Sequence, residues 1–263
     1  MKQIEAVIFD WAGTTVDYGC MAPIHAMIEA FKSKEVIVTL DEIRKPMGML
    51  KLDHIEAVLN MDRVRTRFNQ VHGRQYDQTD IEIIYNYFES KIFKILHQHT
   101  KLIDGLLEVQ THLRKRDIKI GSTTGYTTEM IKIVADGAAS QGYLPDTVVA
   151  ADQVQRGRPY PYMMYQNMTL LEVQNINQVV KVGDTIVDIQ EGINAGCWSV
   201  GVVKGGSMLG MSEEETAKME AGELTQRVRQ IRYEMLAAGA DYVIDSLHEL
   251  PWVIDLIQQK INH

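Results

Sequence analysis

Ile4-Glu5-Ala6-Val7-Ile8-Phe9-Asp10-Trp11-Ala12-Gly13-Thr14-Thr15 sets an apolar, β-prone run directly against a carboxylate and a turn of small residues. Residues 4–9 read as a buried strand, because the run is short, mostly apolar and rich in strand formers. Asp10 then stands at the strand's exit. In open α/β sheets ligands lie outside the carboxyl ends of the strands, so a carboxylate at that place is set for chemistry. Taken singly, it is equally well a helix cap.

Further short β-rich runs, at residues 118–122, 147–150, 179–182, 198–203 and 242–244, alternate with amphipathic segments. That alternation predicts an α/β fold with a parallel sheet flanked by helices. Between the first two strands, from about Met21 to Lys101, the chain reads as helical throughout. Residues 23–31, 52–59 and 80–97 stand out there, the last with Ile83, Ile84, Tyr87, Phe88, Ile92 and Ile95 at helical spacing. The expected organisation is therefore a core of residues 1–19 and 98–263 with an all-α insert at 20–97. Ser212 with Glu215 forms a capping-box pattern that predicts a late helix start. Gly205-Gly206 reads as a loop, and beyond Ser207 no chemical motif appears.

The chain has 263 residues, a formal charge of -8 and two cysteines, Cys20 and Cys197. The length is enough for a sizeable core. No long Lys/Arg block offers a footprint for nucleic acid or an anionic membrane. Two cysteines make no disulfide framework, no apolar run reaches spanning length, and the start MKQIEAVIFD lacks the pattern of a signal peptide. A cytoplasmic protein acting on a small molecule is the expectation.

Three more segments join Asp10 in bearing chemistry. Gly121-Ser122-Thr123-Thr124-Gly125-Tyr126 ends a strand with hydroxyls and a glycine, which lets backbone N–H groups approach an anion. Lys181-Val182-Gly183-Asp184-Thr185-Ile186-Val187-Asp188 places two carboxylates at a helix start. Between them lies Arg156-Gly157-Arg158-Pro159-Tyr160-Pro161. Each alone is commonly a cap, a turn or a solvated charge. Their ordered combination resembles the motifs of the haloacid dehalogenase phosphotransferases.

That resemblance implies a Rossmann-like core with an inserted all-α cap domain. It implies Asp10 as a nucleophile carrying an aspartyl phosphate, with Thr124, Gly125 and Arg158 holding the phosphoryl group. It also implies Mg²⁺ held by Asp10, the Ala12 carbonyl and Asp184, with Asp188 in support. Most phosphatases of the family carry a second Asp two residues after the nucleophile, to protonate an oxygen leaving group. Here that position is Ala12.

The insert offers another means of activating a leaving group. In Arg44-Lys45-Pro46-Met47-Gly48-Met49-Leu50-Lys51-Leu52-Asp53-His54, Lys51 and His54 share a helix face. A lone Lys at a helix start is ordinarily a solvated charge. An apolar approach and a nearby titratable His54 favour desolvation, which lowers a lysine pKa and supplies a nucleophilic amine. Residues 10–20, 45–48 with Lys51 and His54, 121–126, 157–161 and 182–188 together resemble the branch of the family that cleaves a carbon–phosphorus bond. The resemblance implies hydrolysis of phosphonoacetaldehyde to acetaldehyde and phosphate through a Lys51 Schiff base. His54 would move protons, Met47, Cys20 and Tyr126 would line the site, and a homodimer would form through the cap. For Cys20 plain packing explains its presence equally well. A phosphate-ester phosphatase, against which Ala12 argues, and a silent phosphometabolite-binding protein are the competing readings.

Overall fold

A computed structural model describes residues 3–262; residues 1, 2 and 263, included in the expected core boundaries, lie outside the described residues. Six strands form one parallel sheet. The first is β1 (Ala6–Phe9), all four residues buried. Five helices follow: α1 (Met21–Lys32), α2 (Leu40–Arg44), α3 (Lys51–Leu59), α4 (Asp62–His72) and α5 (Gln78–Ile95). The chain then alternates through α6 (Leu106–Arg114), β2 (Lys119–Thr124), α7 (Thr128–Ala139), β3 (Val149–Ala150), α8 (Tyr162–Leu170), β4 (Val179–Gly183), α9 (Ile186–Ala195) and β5 (Trp198–Val202). It ends with α10 (Glu213–Lys218), α11 (Ala221–Ala237), β6 (Tyr242–Ile244) and α12 (Leu250–Ile261).

The strand order β3-β2-β1-β4-β5-β6 puts β1 at the centre and reverses direction of growth between β1 and β4. A crevice at that switch point is the binding place such sheets provide. Register then sets the level of the functional groups. Phe9 pairs with Ser122 on one side and Val182 on the other, so the segments after all three strands emerge together.

All six expected strands are present; the last has the expected bounds and the other five differ by one or two residues at one or both ends. Within α5 the buried stripe is Ile81, Ile84, Phe88 and Ile92, while Ile83 is exposed. The 83/84 pair cannot both face inward, because neighbours on a helix are rotated by roughly 100°. The capping box at Ser212 forms as expected. A single buried cluster includes Phe9 and Trp11 beside the sheet together with Met27, Ile55 and Phe88 of the inserted helices.

The outgoing and returning chains run side by side where the helices leave the sheet. Val16 bridges Leu102, Asp17 N–H donates to the Lys101 carbonyl at 3.2 Å, and Ile103 N–H donates to the Thr15 carbonyl at 2.9 Å. Asp17 also accepts from Ala22 N–H at 3.0 Å, at the start of α1, and from His99 Nδ1 at 2.7 Å.

Candidate active site

Asp10 leaves β1 with its N–H bonded to the Val182 carbonyl at 2.9 Å, which anchors it to β4. Its side chain is almost fully buried. Burial raises its pKa, and the nearby Arg158 cation works in the opposite direction. Arg158 Nη1 lies 2.6 Å from Asp10 Oδ1 and 3.0 Å from Asp188 Oδ1, as ion contacts. These are out of hydrogen-bond alignment, so the nitrogen and Asp188 Oδ1 both keep bonding capacity. Burial opposes charge on Arg158, but the carboxylates of Asp10, Asp188 and Glu191 outweigh it and keep the guanidinium protonated.

Asp184 follows β4. It accepts from Thr14 Oγ1 at 3.0 Å and from both the N–H and Oγ of Ser207 at 2.7 Å. Its pKa is pushed up to about 8, by burial first and then by the charges of Asp10 and Asp188. Asp188 belongs to the capping box of α9 and receives Thr185 Oγ1 at 2.5 Å. Burial works to raise its pKa, yet Arg158 and Lys181 hold it below the ordinary value.

Ligand oxygens of Asp10, Asp184 and Asp188 lie within 4.8 Å of one another. With Glu191, four buried carboxylates face two buried cations, Arg158 and Lys181. A hard divalent cation fits this all-oxygen donor set and would balance its excess negative charge. The raised pKa of Asp184 has the same origin, since crowded anions favour the neutral acid unless a cation joins them.

Lys51 is the first residue of α3 and only 3% exposed. Its amine stands 5.4 Å from the centre of the Tyr126 ring, and among the described residues it makes no ion pair. Burial lowers its pKa, opposed by the Asp10 carboxylate. His54, one turn on, is fully buried, and its Nε2 sits 2.8 Å from the Ile43 carbonyl. A carbonyl only accepts, so Nε2 carries the proton and Nδ1 is an unprotonated, buried atom without a hydrogen-bond partner. Burial, then Lys51, pushes the His54 pKa down to about 3, which keeps the ring neutral.

Asp10, Ala12, Cys20, Met47, Lys51, Thr124, Gly125, Tyr126 and Arg158 line one cavity of ≈ 20 Å³. Pro23, Gly48 and Thr185, which the sequence reading gave no role, complete it. His54, Asp184 and Asp188 stand outside its lining. Thr124 turns its hydroxyl to accept Tyr126 N–H at 3.1 Å. Burial raises the Cys20 thiol well above its usual range, so it packs as a neutral group. A larger groove of ≈ 930 Å³ between α2 and α11 contains Arg44, Leu209 and Tyr233 but none of the expected site residues.

Thr14, Thr123, Lys181, Glu191 and Ser207 were also missed. Lys181 had a readable signal, as a lone charge among valines in a buried run. The Gly205-Gly206 loop had another: a Cβ at Gly206 would lie 2.8 Å from Asp184 Cβ, a close approach that glycine permits.

The family model for haloacid dehalogenase-like hydrolase matches residues 4–196, which takes in β1, β2, β4 and all four motif segments. This fold and site therefore define a hydrolase of that class. A curated relative named phosphonoacetaldehyde hydrolase from Bacillus cytotoxicus is 49% identical over 98% of both chains, and one from Bacillus anthracis is 48% identical over the same share. A solved structure described as a phosphonoacetaldehyde hydrolase-like protein from Oleispira antarctica superposes with a TM-score of 0.96. It is 36% identical and covers 99% of this chain and 94% of its own. A β-phosphoglucomutase from Clostridium difficile, 18% identical with a TM-score of 0.70, shares the fold over 99% of this chain and 100% of its own. The chain belongs to the phosphonoacetaldehyde hydrolase family within the haloacid dehalogenase-like hydrolases.

Proposed function

We propose that this chain hydrolyses the carbon–phosphorus bond of phosphonoacetaldehyde, with Asp10 and Lys51 dividing the work. The observation that carries the reading is their shared cavity: a carboxylate from the sheet and a desolvated amine from the inserted helices, with Ala12 where an acid for an oxygen leaving group would stand.

Direct displacement at phosphorus would expel a carbanion. Lys51 Nζ instead attacks the aldehyde carbon, and loss of water gives an iminium. Asp10 then attacks phosphorus, the carbon–phosphorus bond breaks, and its electron pair enters the enamine that the iminium becomes. Protonation of the enamine carbon restores the imine. One water cleaves the aspartyl phosphate to phosphate, and another cleaves the imine to acetaldehyde and free Lys51. His54, one turn along α3 from Lys51 with its Nδ1 unpartnered, would relay the proton that moves from the attacking nitrogen to the carbinolamine oxygen, which then leaves as water. Arg158, Thr124 and Gly125 hold the phosphoryl oxygens, while Tyr126, Met47 and Cys20 keep water from the amine.

Asp10, the Ala12 carbonyl and Asp184 would hold Mg²⁺, with Asp188 in support. Bound there, the ion would screen the nucleophile from its anionic substrate.

In this reading residues 1–19 and 98–263 form the core and 20–97 a cap that opens to admit substrate, because a cavity of ≈ 20 Å³ holds about one water. The chain would act in the cytoplasm as a homodimer joined through the cap, whose Ile37, Leu40 and Ile83 are exposed. Sedimentation as a monomer at micromolar concentration would remove the dimer from the proposal. Among the described residues no helix is long and apolar enough to cross a membrane.

Borohydride reduction with phosphonoacetaldehyde present, followed by peptide mapping, tests the mechanism. A reduced adduct on Lys51 is expected. Absence of the adduct with phosphate-ester turnover intact would replace this reading by an ordinary phosphatase.

A further inference from the structure

Arg158 has three guanidinium nitrogens, and the fold uses two of them to hold it still. Nε donates to Glu191 Oε2 at 2.9 Å. Nη2 donates to the Thr123 carbonyl at 2.7 Å and to Thr123 Oγ1 at 2.6 Å. Only Nη1 faces Asp10 and Asp188.

Thr123 Oγ1 is the centre of this arrangement. It donates to Glu191 Oε2 at 3.0 Å and accepts from Arg158 Nη2 and from Lys181 Nζ, the latter at 2.8 Å. One hydroxyl has one proton and two lone pairs, so its capacity is fully used. Lys181, fully buried in β4, also lies 3.0 Å from Asp188 Oδ1 and 3.1 Å from Glu191 Oε2. Glu191 and Asp188 sit three residues apart on α9 and therefore present the same face to the strands.

We propose that Thr123, Glu191 and Lys181 are positioning residues: a buried clamp that fixes the plane of the Arg158 guanidinium and leaves Nη1 as the one nitrogen aimed at the transferring phosphoryl group. None of the three lines the cavity, so they act through Arg158 and Asp188. The clamp also gives a reason for arginine here. A lysine ammonium carries its three donors on one freely rotating nitrogen, so it has no plane for Glu191 and Thr123 to fix while a different nitrogen is aimed at substrate. The proposal rests on Arg158 holding the phosphoryl group, as the mechanism above takes it to do.

The test uses the full chain with Mg²⁺, comparing Thr123→Val, which keeps shape and removes the hydroxyl, with Thr123→Ser, which keeps the hydroxyl. Orthovanadate inhibition reads the phosphoryl side, and borohydride trapping of acetaldehyde on Lys51 reads the amine side. Thr123→Val is expected to lower kcat about 10- to 100-fold and weaken vanadate about 10-fold, while acetaldehyde trapping stays as in the unaltered chain. Thr123→Ser should restore both kcat and vanadate inhibition. Unchanged vanadate inhibition in Thr123→Val, or an equal loss of trapping and inhibition, would overturn the clamp. Should Thr123→Val fail to fold, Glu191→Gln is compared in the same two assays with the same outcomes. Failure of trapping in the unaltered chain would refute the imine; the vanadate comparison would still decide the clamp.

Discussion

Gly48 of the inserted segment and Gly125 at the end of β2 meet backbone to backbone: a Cβ built on Gly125 would lie 2.9 Å from the Gly48 carbonyl carbon's oxygen and 2.6 Å from that of Met49. A Cβ on Gly48, in turn, would lie 2.9 Å from Thr185 Oγ1. The segment bearing Lys51 thus rests on the loop bearing Thr124 with no side chain between them. This brings an amine and a carboxylate from distant parts of the chain to one cavity.

Replacing Gly125 by Ala should keep the fold but hold the two segments apart, since the clash is with backbone across the contact. A displacement of about 1 Å between reacting groups costs on the order of 10²-fold in rate. Steady-state kinetics should show kcat/KM reduced by about that factor, with thermal unfolding changed by only a few degrees. Unaltered turnover would mean that the tight contact is not needed for reaction.

Ser207 supplies two of the three hydrogen bonds that orient Asp184. Ser207→Ala removes the hydroxyl bond and leaves the N–H. Orienting partners of this kind are worth roughly 10- to 100-fold in metal affinity. A Mg²⁺ titration of activity should show half-saturation shifted upward within that range, with the rate at saturating metal largely recovered.

Lys51 must be uncharged to attack an aldehyde. Burial lowers its pKa below the ordinary 10.5, so its neutral fraction, and with it the proposed imine formation, falls as pH drops through that lowered value. Lys51→Arg should remove the borohydride adduct and cut kcat by at least about 10³-fold, the scale seen when a covalent nucleophile is lost. An adduct that persists in the variant would place the imine elsewhere.

His99 joins Asp17 where the two chain crossings run together, and the bond to Asp17 raises its pKa above 6.5. A raised folded pKa means that the pair's stabilisation is full below 6.5 and is lost as pH rises through the folded value. The His99→Asn variant should therefore melt below the parent chain at pH 5.5, with the gap closing toward pH 9. A constant gap across that range would count against a contribution from the charged imidazole.

Much of this was legible in the chain itself. Short runs of β-branched residues marked every strand, because a strand buried on both faces has little room for polar side chains. Ser212 with Glu215 marked a helix start through bonds spanning three residues. Asp10 and Asp184 stood out because each follows a strand, and Thr124 because it ends one, while Arg158 was picked out by the order of the motif segments around it. Ala12 and Lys51 together pointed to the leaving group proposed above before any geometry was known.

Tertiary structure alone decided the rest. Thr14 reaches Asp184 across 170 positions, and Glu191 reaches Thr123 across 68; no local pattern records such pairs, since the sheet order brings them together. It also decided that Ile83 faces solvent while Ile84 is buried, that His54 carries its proton on Nε2, and that Lys181 lies beneath the site rather than in water. Local composition determines which segments become strands and helices and which residues can do chemistry. The burial, charge and protonation of those residues depend on what the fold packs around them, because desolvation and ion pairing are set by distance in space.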